Sequence, residues 1–263
     1  MFPPELPPVS NIFLYCYRVL AKWFSFFYFG LTSVLLSISI LPLMRLFFHP
    51  RARFQKYVRR FISASFRFFI SLMHFIKVAD LIADNKKAFR QLSSKIIVAN
   101  HPSILDVVML ISLIPNADCI VSGHLQRGIL RIIVRQVYII NSDNLENILE
   151  SCAETLKQGN CLIIFPEGTR TPRSGKVIFK KGAARIAFAS NCGIIPVHIG
   201  GTDKFGLGKK DPWTGYNPTE RYVYSLTMGE EIVPQKYKNL PEAAAARCIT
   251  DDIKNFIYLK NKA

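Results

Sequence analysis

A histidine and an aspartate lie five positions apart where the apolar run IIVANHPSILDVVML (residues 96–110) is interrupted. Pro102 cannot donate a backbone hydrogen bond, suits the first turn of a helix and keeps the preceding residue out of the helical conformation. We therefore expect His101 at the corner between a strand and a helix, the end at which α/β sheets bind their ligands. Asp106 then lies about one turn into the helix, within reach of the imidazole.

The pair of His101 and Asp106 predicts a general base. A carboxylate that holds one ring nitrogen leaves the other nitrogen free to accept a proton. A base of this kind acts on the hydroxyl group of a second molecule and needs no serine or cysteine nucleophile. The candidate catalytic residues are thus His101 and Asp106. The alternative is structural, with His101 capping the helix and Asp106 facing solvent.

A second polar corner follows the apolar residues of LIIFPEGTR (residues 162–170). Pro166 and Gly168 predict a tight turn at the end of a buried strand. The guanidinium group of Arg170 suits a phosphate or carboxylate, and Glu167 can orient that group or accept a hydrogen bond from a substrate hydroxyl. The candidate substrate-binding residues here are Glu167, Gly168, Thr169 and Arg170, with Lys180 and Lys181 adding positive potential just beyond them.

Short strand-like runs alternate with helical stretches beyond residue 77. The runs are KIIVAN, DCIVS, VYIIN, CLIIF, GIIPVHI and RYVYSLTMG. Their alternation predicts an α/β fold, with a central, mostly parallel or mixed sheet flanked by helices. In GIIPVHI, we expect His198 to be a hydrogen-bonded strand residue. We divide the chain into an N-terminal segment (1–22), membrane-anchoring helices (23–78) and an α/β domain (79–263).

The N-terminal part contains a long apolar run, because no charged residue lies between Lys22 and Arg45. At about 1.5 Å per residue, the run is just long enough to cross a hydrocarbon core of about 30 Å. An arginine-rich stretch follows it, which by the positive-inside rule places the rest of the chain in the cytoplasm. Pro42 can kink the helix, so a shallow re-entrant hairpin is the alternative.

A second apolar segment, residues 59–78, carries Arg67 and His74. Its helical spacing predicts an amphipathic helix in the lipid headgroup region, with basic residues toward the lipid phosphates. An ordinary core helix is the alternative.

The chain holds 34 Lys and Arg against 18 Asp and Glu, a formal net charge of +16. Residues 1–90 contain 13 of the basic and 3 of the acidic residues, around the most apolar part of the sequence. This distribution favours a membrane surface over nucleic acid, for which no recognised motif is present. The six cysteines show no CxxC motif and no zinc spacing, which predicts free thiols and no metal site.

Together, NHPSILD, FPEGTR and IIPVHI resemble the motifs of the glycerolipid (1-acylglycerol-3-phosphate) acyltransferase superfamily, over roughly residues 78–230. The resemblance implies a membrane-bound O-acyltransferase that uses acyl-CoA or an acidic acyl-carrier protein directly, without a metal, another cofactor or an acyl-enzyme. His101, oriented by Asp106, would deprotonate the acceptor hydroxyl. Glu167 and Arg170 would bind the glycerol phosphate of a lysophospholipid, with Gly168 shaping the turn. The expected acceptor is 1-acylglycerol-3-phosphate, which gives phosphatidic acid.

The chain departs from this family in QVYIINSD (residues 136–143), where Gln136 replaces a glycine and Ser142 replaces a phosphate-binding arginine. The alternative acceptors are a lyso-ornithine lipid, an aryl polyene or another specialised bacterial lipid. Three arginines one helical turn apart are candidates for phosphate contacts or for docking an acidic carrier protein, or form a solvated face: Arg127, Arg131 and Arg135.

The resulting expectation is an enzyme bound to the inner membrane, with its active site toward the cytoplasm. Its expected partners are the lipid bilayer, the lysophospholipid acceptor and the acyl donor, and nucleic acid is not among them. A non-catalytic module that binds a membrane surface is the alternative from another functional class.

Overall fold

The computed structural model of the protein describes residues 6–122, 138–141, 145–173 and 177–258. Its helices are α1 (Ile12–Leu35), α2 (Leu41–Phe47), α3 (Arg51–Phe75), α4 (Lys86–Gln91), α5 (Asp106–Leu113), α6 (Leu145–Lys157), α7 (Gly182–Ser190) and α8 (Glu242–Tyr258). A π-helical turn (Leu36–Ile40) joins α1 to α2, and a 3₁₀ turn (Pro234–Tyr237) precedes α8. The strands are β1 (Ala79–Ala83), β2 (Ile96–Ala99), β3 (Ala117–Ser122), β4 (Tyr138–Asn141), β5 (Cys161–Ile164), β6 (Ile194–Gly201) and β7 (Tyr222–Met228).

These seven strands form one sheet in the order β1-β7-β6-β2-β5-β3-β4. Strands β6 and β7 pair antiparallel, and the other neighbouring strands of the described sheet are parallel. The predicted α/β fold with a mixed, helix-flanked sheet is confirmed. Because β2 lies between β5 and β6, the ends of the two strands that carry the polar corners are adjacent.

The central strand β2 is buried on both faces, which explains its unbroken apolar sequence. Ile97 and Ala99 belong to the apolar cluster that includes α3 and α5. Ile96 and Val98 belong to the opposite cluster, which includes residues of α6, α7 and α8. Helices therefore cover both sides of the strand that ends at the histidine corner.

The six cysteines are free thiols, as predicted. Three of them are buried in the core, and burial raises the pKa of each of these thiols: Cys119, Cys152 and Cys161. A free thiol held in its neutral form behaves as a small apolar residue. These cysteines thus contribute packing to the fold.

The N-terminal helices form one continuous helical segment over Ile12–Phe47 that is long and apolar enough to cross a membrane. Within the described residues, it is the single helical segment with this property. The helix begins before the apolar run at residue 23, because Asn11 caps its first turn by accepting from the N–H of Leu14 at 3.0 Å. It therefore includes the charged Lys22. The ammonium group of Lys22 is buried and donates hydrogen bonds to the carbonyl oxygens of Trp213 and Gly215.

Helix α3 packs one face on α5 and β1, as the core-helix alternative predicted. Its Arg59 is buried and donates two hydrogen bonds, of 2.7 and 2.8 Å, to the carboxylate of Asp118 at the start of β3. Arg67 donates to Ser63 Oγ at 3.0 Å. The prediction that the basic residues of this segment face lipid phosphates is therefore wrong for Arg59 and Arg67, because both bind protein groups, whereas Arg60 is exposed. Aromatic side chains at heptad spacing remain exposed on another face: Phe61, Phe68 and Phe75.

Candidate active site

The histidine corner is fixed by Asn100, the residue that follows β2. Its side-chain amide donates to Ile199 O at 2.9 Å, and its side-chain oxygen accepts from Ile199 N at 2.7 Å. This pair of bonds ties the end of β2 to β6. His101 therefore starts from a rigid position at the carboxyl end of the central strand.

His101 and Asp106 form the predicted pair. His101 Nδ1 lies 2.8 Å from Asp106 Oδ2, and the Asp106 side chain is fully buried while that of His101 is 18% exposed. The imidazole also stacks on the ring of Phe165, with 4.1 Å between the ring centroids. An ionised carboxylate can only accept, so Nδ1 carries the proton and Nε2 is left as the basic nitrogen. The alternative in which Asp106 faces solvent is wrong.

The second corner follows β5, where Gly168 takes a left-handed backbone conformation with φ of +66°. A β-carbon at this position would come within 2.9 Å of Lys180 Nζ. The left-handed turn therefore favours glycine, whereas the flexible end of Lys180 could move away from a β-carbon. Lys180 is thus placed against this corner, as predicted.

Glu167 is buried in this corner and accepts three hydrogen bonds on Oε1. The donors are Thr171 Oγ1 at 2.7 Å, Tyr258 OH at 2.9 Å and the backbone N–H of His101 at 3.3 Å. Its other oxygen, Oε2, is buried and makes no hydrogen bond with any residue that the structure describes. Burial raises the pKa of Glu167 above its ordinary value, while the three donors lower it.

Thr171 joins the two corners. Its N–H donates to His101 O at 2.7 Å, and its Oγ1 accepts from the N–H of His101 at 3.1 Å. The same hydroxyl group donates to Glu167. The two motifs therefore form one site, with the imidazole and the buried carboxylate on a shared hydrogen-bonded frame.

Arg170 points toward the loop that follows β6. Its Nη1 donates to Leu207 O at 3.0 Å and to Gly208 O at 2.9 Å. Leu207 O also accepts from the N–H of Ile104, next to the histidine corner, at 3.1 Å. Arg170 and Ile104 line a pocket of about 110 Å³ together with this loop, including Lys210. Leu207 O thus accepts hydrogen bonds from residues at both corners.

The predicted residues do not all meet. Those that the structure brings together are His101, Asp106, Glu167, Gly168, Arg170 and Lys180. Thr169 is exposed, and so is Lys181, the residue before α7. The residues that lie outside the described part of the chain are Arg127, Arg131, Arg135, Gln136 and Ser142.

Sequence reasoning missed four residues of the site: Ser103, Thr171, Tyr224 and Tyr258. Ser103 and Thr171 lie within or next to the recognised motifs, so their hydroxyl groups were a usable signal. Tyr224 and Tyr258 come from β7 and α8, and no local pattern connects them with the site. His198 is only partly buried on β6, where burial lowers the pKa of its imidazole. Among the described residues, no group of three or more His, Cys, Asp or Glu could hold a metal ion.

Comparison with known proteins places this site in a family. Residues 81–200 match a family model described as Acyltransferase. The crystal structure of a 1-acyl-sn-glycerophosphate acyltransferase from Thermotoga maritima has the same fold, with a TM-score of 0.70 and 22% sequence identity. That similarity covers 94% of this chain and 99% of the other. Residues 81–200 of this chain belong to this acyltransferase family.

Curated relatives of this chain are also named as acyltransferases. A probable 1-acyl-sn-glycerol-3-phosphate acyltransferase from Mycoplasma genitalium is 24% identical over 73% of this chain and 72% of its own length. A Helicobacter pylori 1-acyl-sn-glycerol-3-phosphate acyltransferase is 32% identical over 57% of this chain and 66% of its own length. The chain spans about half the length of further relatives, 50% in one and 58% in another. The protein is thus an acyltransferase, as its motifs predicted, rather than a non-catalytic binding module.

Proposed function

We propose that this acyltransferase moves a fatty acyl group from acyl-CoA or acyl-carrier protein to the free hydroxyl of 1-acylglycerol-3-phosphate, giving phosphatidic acid. The observation that carries the proposal is the His101–Asp106 pair, held by Thr171 against the corner of Glu167 and Arg170. A base and an anion-binding group on one rigid frame suit an acceptor that carries both a hydroxyl and a phosphate. The names of the relatives in Mycoplasma genitalium and Helicobacter pylori support this acceptor.

In the proposed reaction, His101 Nε2 takes the proton of the acceptor hydroxyl as its oxygen attacks the thioester carbonyl carbon. Asp106 stabilises the imidazolium that forms. The tetrahedral intermediate collapses with cleavage of the carbon–sulfur bond. The leaving thiolate takes the proton from the imidazolium, which returns the base to its neutral form. Neither a metal nor an acyl-enzyme enters this sequence.

The acceptor is held by the second corner. The buried Oε2 of Glu167 has an unused lone pair for a glycerol hydroxyl group, and burial of that carboxylate without a further partner is costly. Arg170 keeps N–H donors beyond the Nη1 bonds to the loop, and Lys210 adds a second cation to the same pocket. Asp211 also lines this pocket, but its carboxylate accepts from the N–H groups of Gly206 and Gly208 and pairs with Arg173. Arg170 and Lys210 are therefore the two cations that suit a phosphate here. Lys180 adds positive potential near Gly168.

We also propose that the enzyme is attached to the inner membrane by the segment Ile12–Phe47, with the site on the cytoplasmic side. The segment is apolar and most of it is not covered by the rest of the chain. The arginine-rich sequence that follows residue 47 supports the cytoplasmic orientation. The active site would then lie at the cytoplasmic surface of the membrane that contains the lipid substrate.

The second candidate is the same chemistry on another acceptor, such as a lyso-ornithine lipid or an aryl polyene. Ser142, where the family has a phosphate-binding arginine, favours this candidate. The deciding experiment offers the purified enzyme a mixture of lyso-acceptors, with acyl-CoA and acyl-carrier protein in parallel, and identifies products by mass spectrometry. Phosphatidic acid as the dominant product supports the first candidate. Acylation of a phosphate-free acceptor alone overturns it.

A further inference from the structure

We propose that Tyr224 and Ser103 are positioning residues for acyl transfer. They form a hydrogen-bonded chain that ends on Asp106, and they act on the reaction only by fixing the carboxylate that orients His101. The inference rests on the proposed function, in which His101 is the base.

The number of protons on these groups decides which group donates in each hydrogen bond from Tyr224 through Ser103 to Asp106. Ser103 Oγ lies 2.7 Å from Asp106 Oδ1 and 2.8 Å from Tyr224 OH. An ionised carboxylate has no proton to give, so the single hydroxyl proton of Ser103 goes to Asp106. Tyr224 must therefore donate to Ser103. The backbone N–H of Leu105 donates to the same oxygen at 3.1 Å, which fills its second lone pair.

Asp106 is held through both of its oxygens. Oδ1 accepts from the Ser103 hydroxyl, and Oδ2 accepts from the Ser103 N–H at 2.7 Å and from His101 Nδ1 at 2.8 Å. Asp106, Ser103 and Tyr224 are all fully buried, so these groups depend on one another for hydrogen bonds. Loss of one donor therefore changes the charge that the carboxylate presents to the imidazole.

Tyr224, the residue of the hydrogen-bonded chain farthest from Asp106, is held in place by its strand and by Lys204. Tyr224 lies on β7, where it pairs with Gly201 at the end of β6, and it is 121 positions from Ser103 in the sequence. The ammonium group of Lys204 lies 4.7 Å from the centre of its ring and also donates to Val223 O at 2.9 Å. Burial raises the pKa of the Tyr224 phenol well above its ordinary value, and the Asp106 carboxylate raises it further. Tyr224 thus remains a hydrogen-bond donor throughout the working pH range.

The structure offers a matched control for each residue. Tyr222 lies two positions before Tyr224 on the same strand, is equally buried, and donates to Phe205 O at 2.6 Å. Ser112 on α5 is buried and donates to Met109 O at 2.7 Å. Neither hydroxyl group contacts Asp106. Tyr222→Phe and Ser112→Ala therefore each remove a buried hydrogen bond of similar kind. Both variants keep the hydrogen bonds that link Tyr224, Ser103 and Asp106.

The test measures pH–rate profiles of Tyr224→Phe, Ser103→Ala, the double variant and both controls in the full-length enzyme. We expect kcat at pH 7 to fall about fivefold for Tyr224→Phe and about thirtyfold for Ser103→Ala. We expect the acid limb of both profiles to move up by about half a pH unit, because a carboxylate with weaker donors stabilises the imidazolium more. The position of this limb does not depend on how much enzyme is folded.

The double variant shows whether Tyr224 acts through Ser103 or whether the two residues act independently. Because Tyr224 acts only through the Ser103 hydroxyl, the double variant should match Ser103→Ala alone within about twofold. Lys204, which interacts electrostatically with Asp106, and Glu167, which interacts with His101, are intact in every variant, so they do not account for a shifted limb. Multiplied effects, an unshifted limb in Tyr224→Phe, or equal losses in Tyr222→Phe would each overturn the proposal.

A parallel His101→Ala arm keeps this outcome distinct from the proposed function. If His101→Ala is inactive while Tyr224→Phe behaves as wild type, the role of His101 as the base is supported and the positioning role of Tyr224 and Ser103 is refuted. If His101→Ala retains full turnover, the proposed function itself fails.

Discussion

His101 and Thr171 bind each other in both directions: the N–H of Thr171 donates to the carbonyl of His101, and the N–H of His101 donates to the Thr171 hydroxyl group. These bonds involve the backbone of the histidine, so they fix its position without using the imidazole. The position of the His101 backbone relative to the buried carboxylate of Glu167 is therefore fixed by these bonds, while Asp106 and Phe165 orient the imidazole ring. Such a frame is what an acyl transfer with two bound substrates requires.

The first prediction concerns the base. His101→Ala should lower acyl transfer about 10³-fold, because the proton of the attacking hydroxyl has no acceptor at the site. Binding to lipid vesicles should be unchanged, since His101 lies outside the apolar segment Ile12–Phe47. The matched control is His74→Ala, whose exposed ring pairs with Asp80, and it should turn over like wild type. Equal turnover by His101→Ala would refute the assignment.

The second prediction concerns the link between the corners. Thr171→Val keeps the shape and the bond from its backbone N–H to the His101 carbonyl, but it removes the hydroxyl group that donates to Glu167 and accepts from the His101 N–H. We expect kcat/KM for the acceptor to fall about tenfold, as one buried hydrogen bond to a charged group is lost. Thr169→Val, two positions earlier and exposed, is the control. Steady-state kinetics at saturating acyl donor measure the difference, and identical losses in both variants would contradict the role of Thr171.

The third prediction concerns the pH dependence of stability. Burial raises the pKa of Glu167, so above its ordinary pKa of 4.5 the folded state binds more protons than the unfolded state. The contribution of Glu167 to stability is thus present at low pH and is lost as pH rises through its raised pKa. Glu167→Gln removes this loss, because the amide oxygen still accepts from Thr171 and Tyr258.

For Glu167→Gln, we therefore expect a melting temperature that rises relative to that of wild type as pH increases from 4.5 through the raised pKa of Glu167. We expect the acceptor KM to rise about tenfold at the same time, since the amide binds a glycerol hydroxyl less strongly than the carboxylate does. Thermal unfolding monitored by circular dichroism, together with acceptor titrations, gives both quantities. A melting temperature that falls further behind wild type with rising pH would contradict the sign.

The fourth prediction concerns acceptor recognition. Lys210→Ala should raise the KM for lysophosphatidic acid about tenfold and leave that for a phosphate-free monoacylglycerol unchanged, because a cation in the pocket of Arg170 acts only on the anion. Lys209→Ala, an exposed neighbour that does not line the pocket, is the control. The ratio of kcat/KM for the two acceptors reports the effect. A ratio that stays at the wild-type value would place the phosphate elsewhere.

The fifth prediction concerns the membrane. The chain has two tryptophans, and they are in contact: the ring centroids of Trp23 and Trp213 are 6.3 Å apart, and both rings are exposed. In lipid nanodiscs, we expect brominated acyl chains to quench their fluorescence, because the proposed membrane attachment through Ile12–Phe47 puts this face against the bilayer. Trp213→Phe separates the two contributions. Equal fluorescence in brominated and ordinary nanodiscs would place the face away from lipid.

The second helical segment marks a limit of sequence reasoning. Periodicity located a helix correctly, and α3 covers most of residues 59–78. It could not tell which arginine has a protein partner, because Asp118 lies 59 positions from Arg59 and meets it only when α3 packs across the sheet. Charge on a helix face suits lipid phosphates and a buried carboxylate equally well.

The sequence by itself determined the two corners of the site. Proline after His101 and glycine after Glu167 act on neighbouring backbone, and a carboxylate about one helical turn into the following helix can reach the histidine ring. Apolar runs alternating with helices were enough for the fold class. These features are local, so spacing along the chain predicts them.

Only the tertiary structure decided how the corners are joined and what supports them. The order of the sheet sets β2 beside β5, which brings Thr171 onto His101. It also carries Tyr224 to Ser103 from β7, and helix α8 brings Tyr258 to Glu167. Hydrogen bonds between residues far apart in sequence depend on strand order and helix packing, and no local pattern encodes either of these.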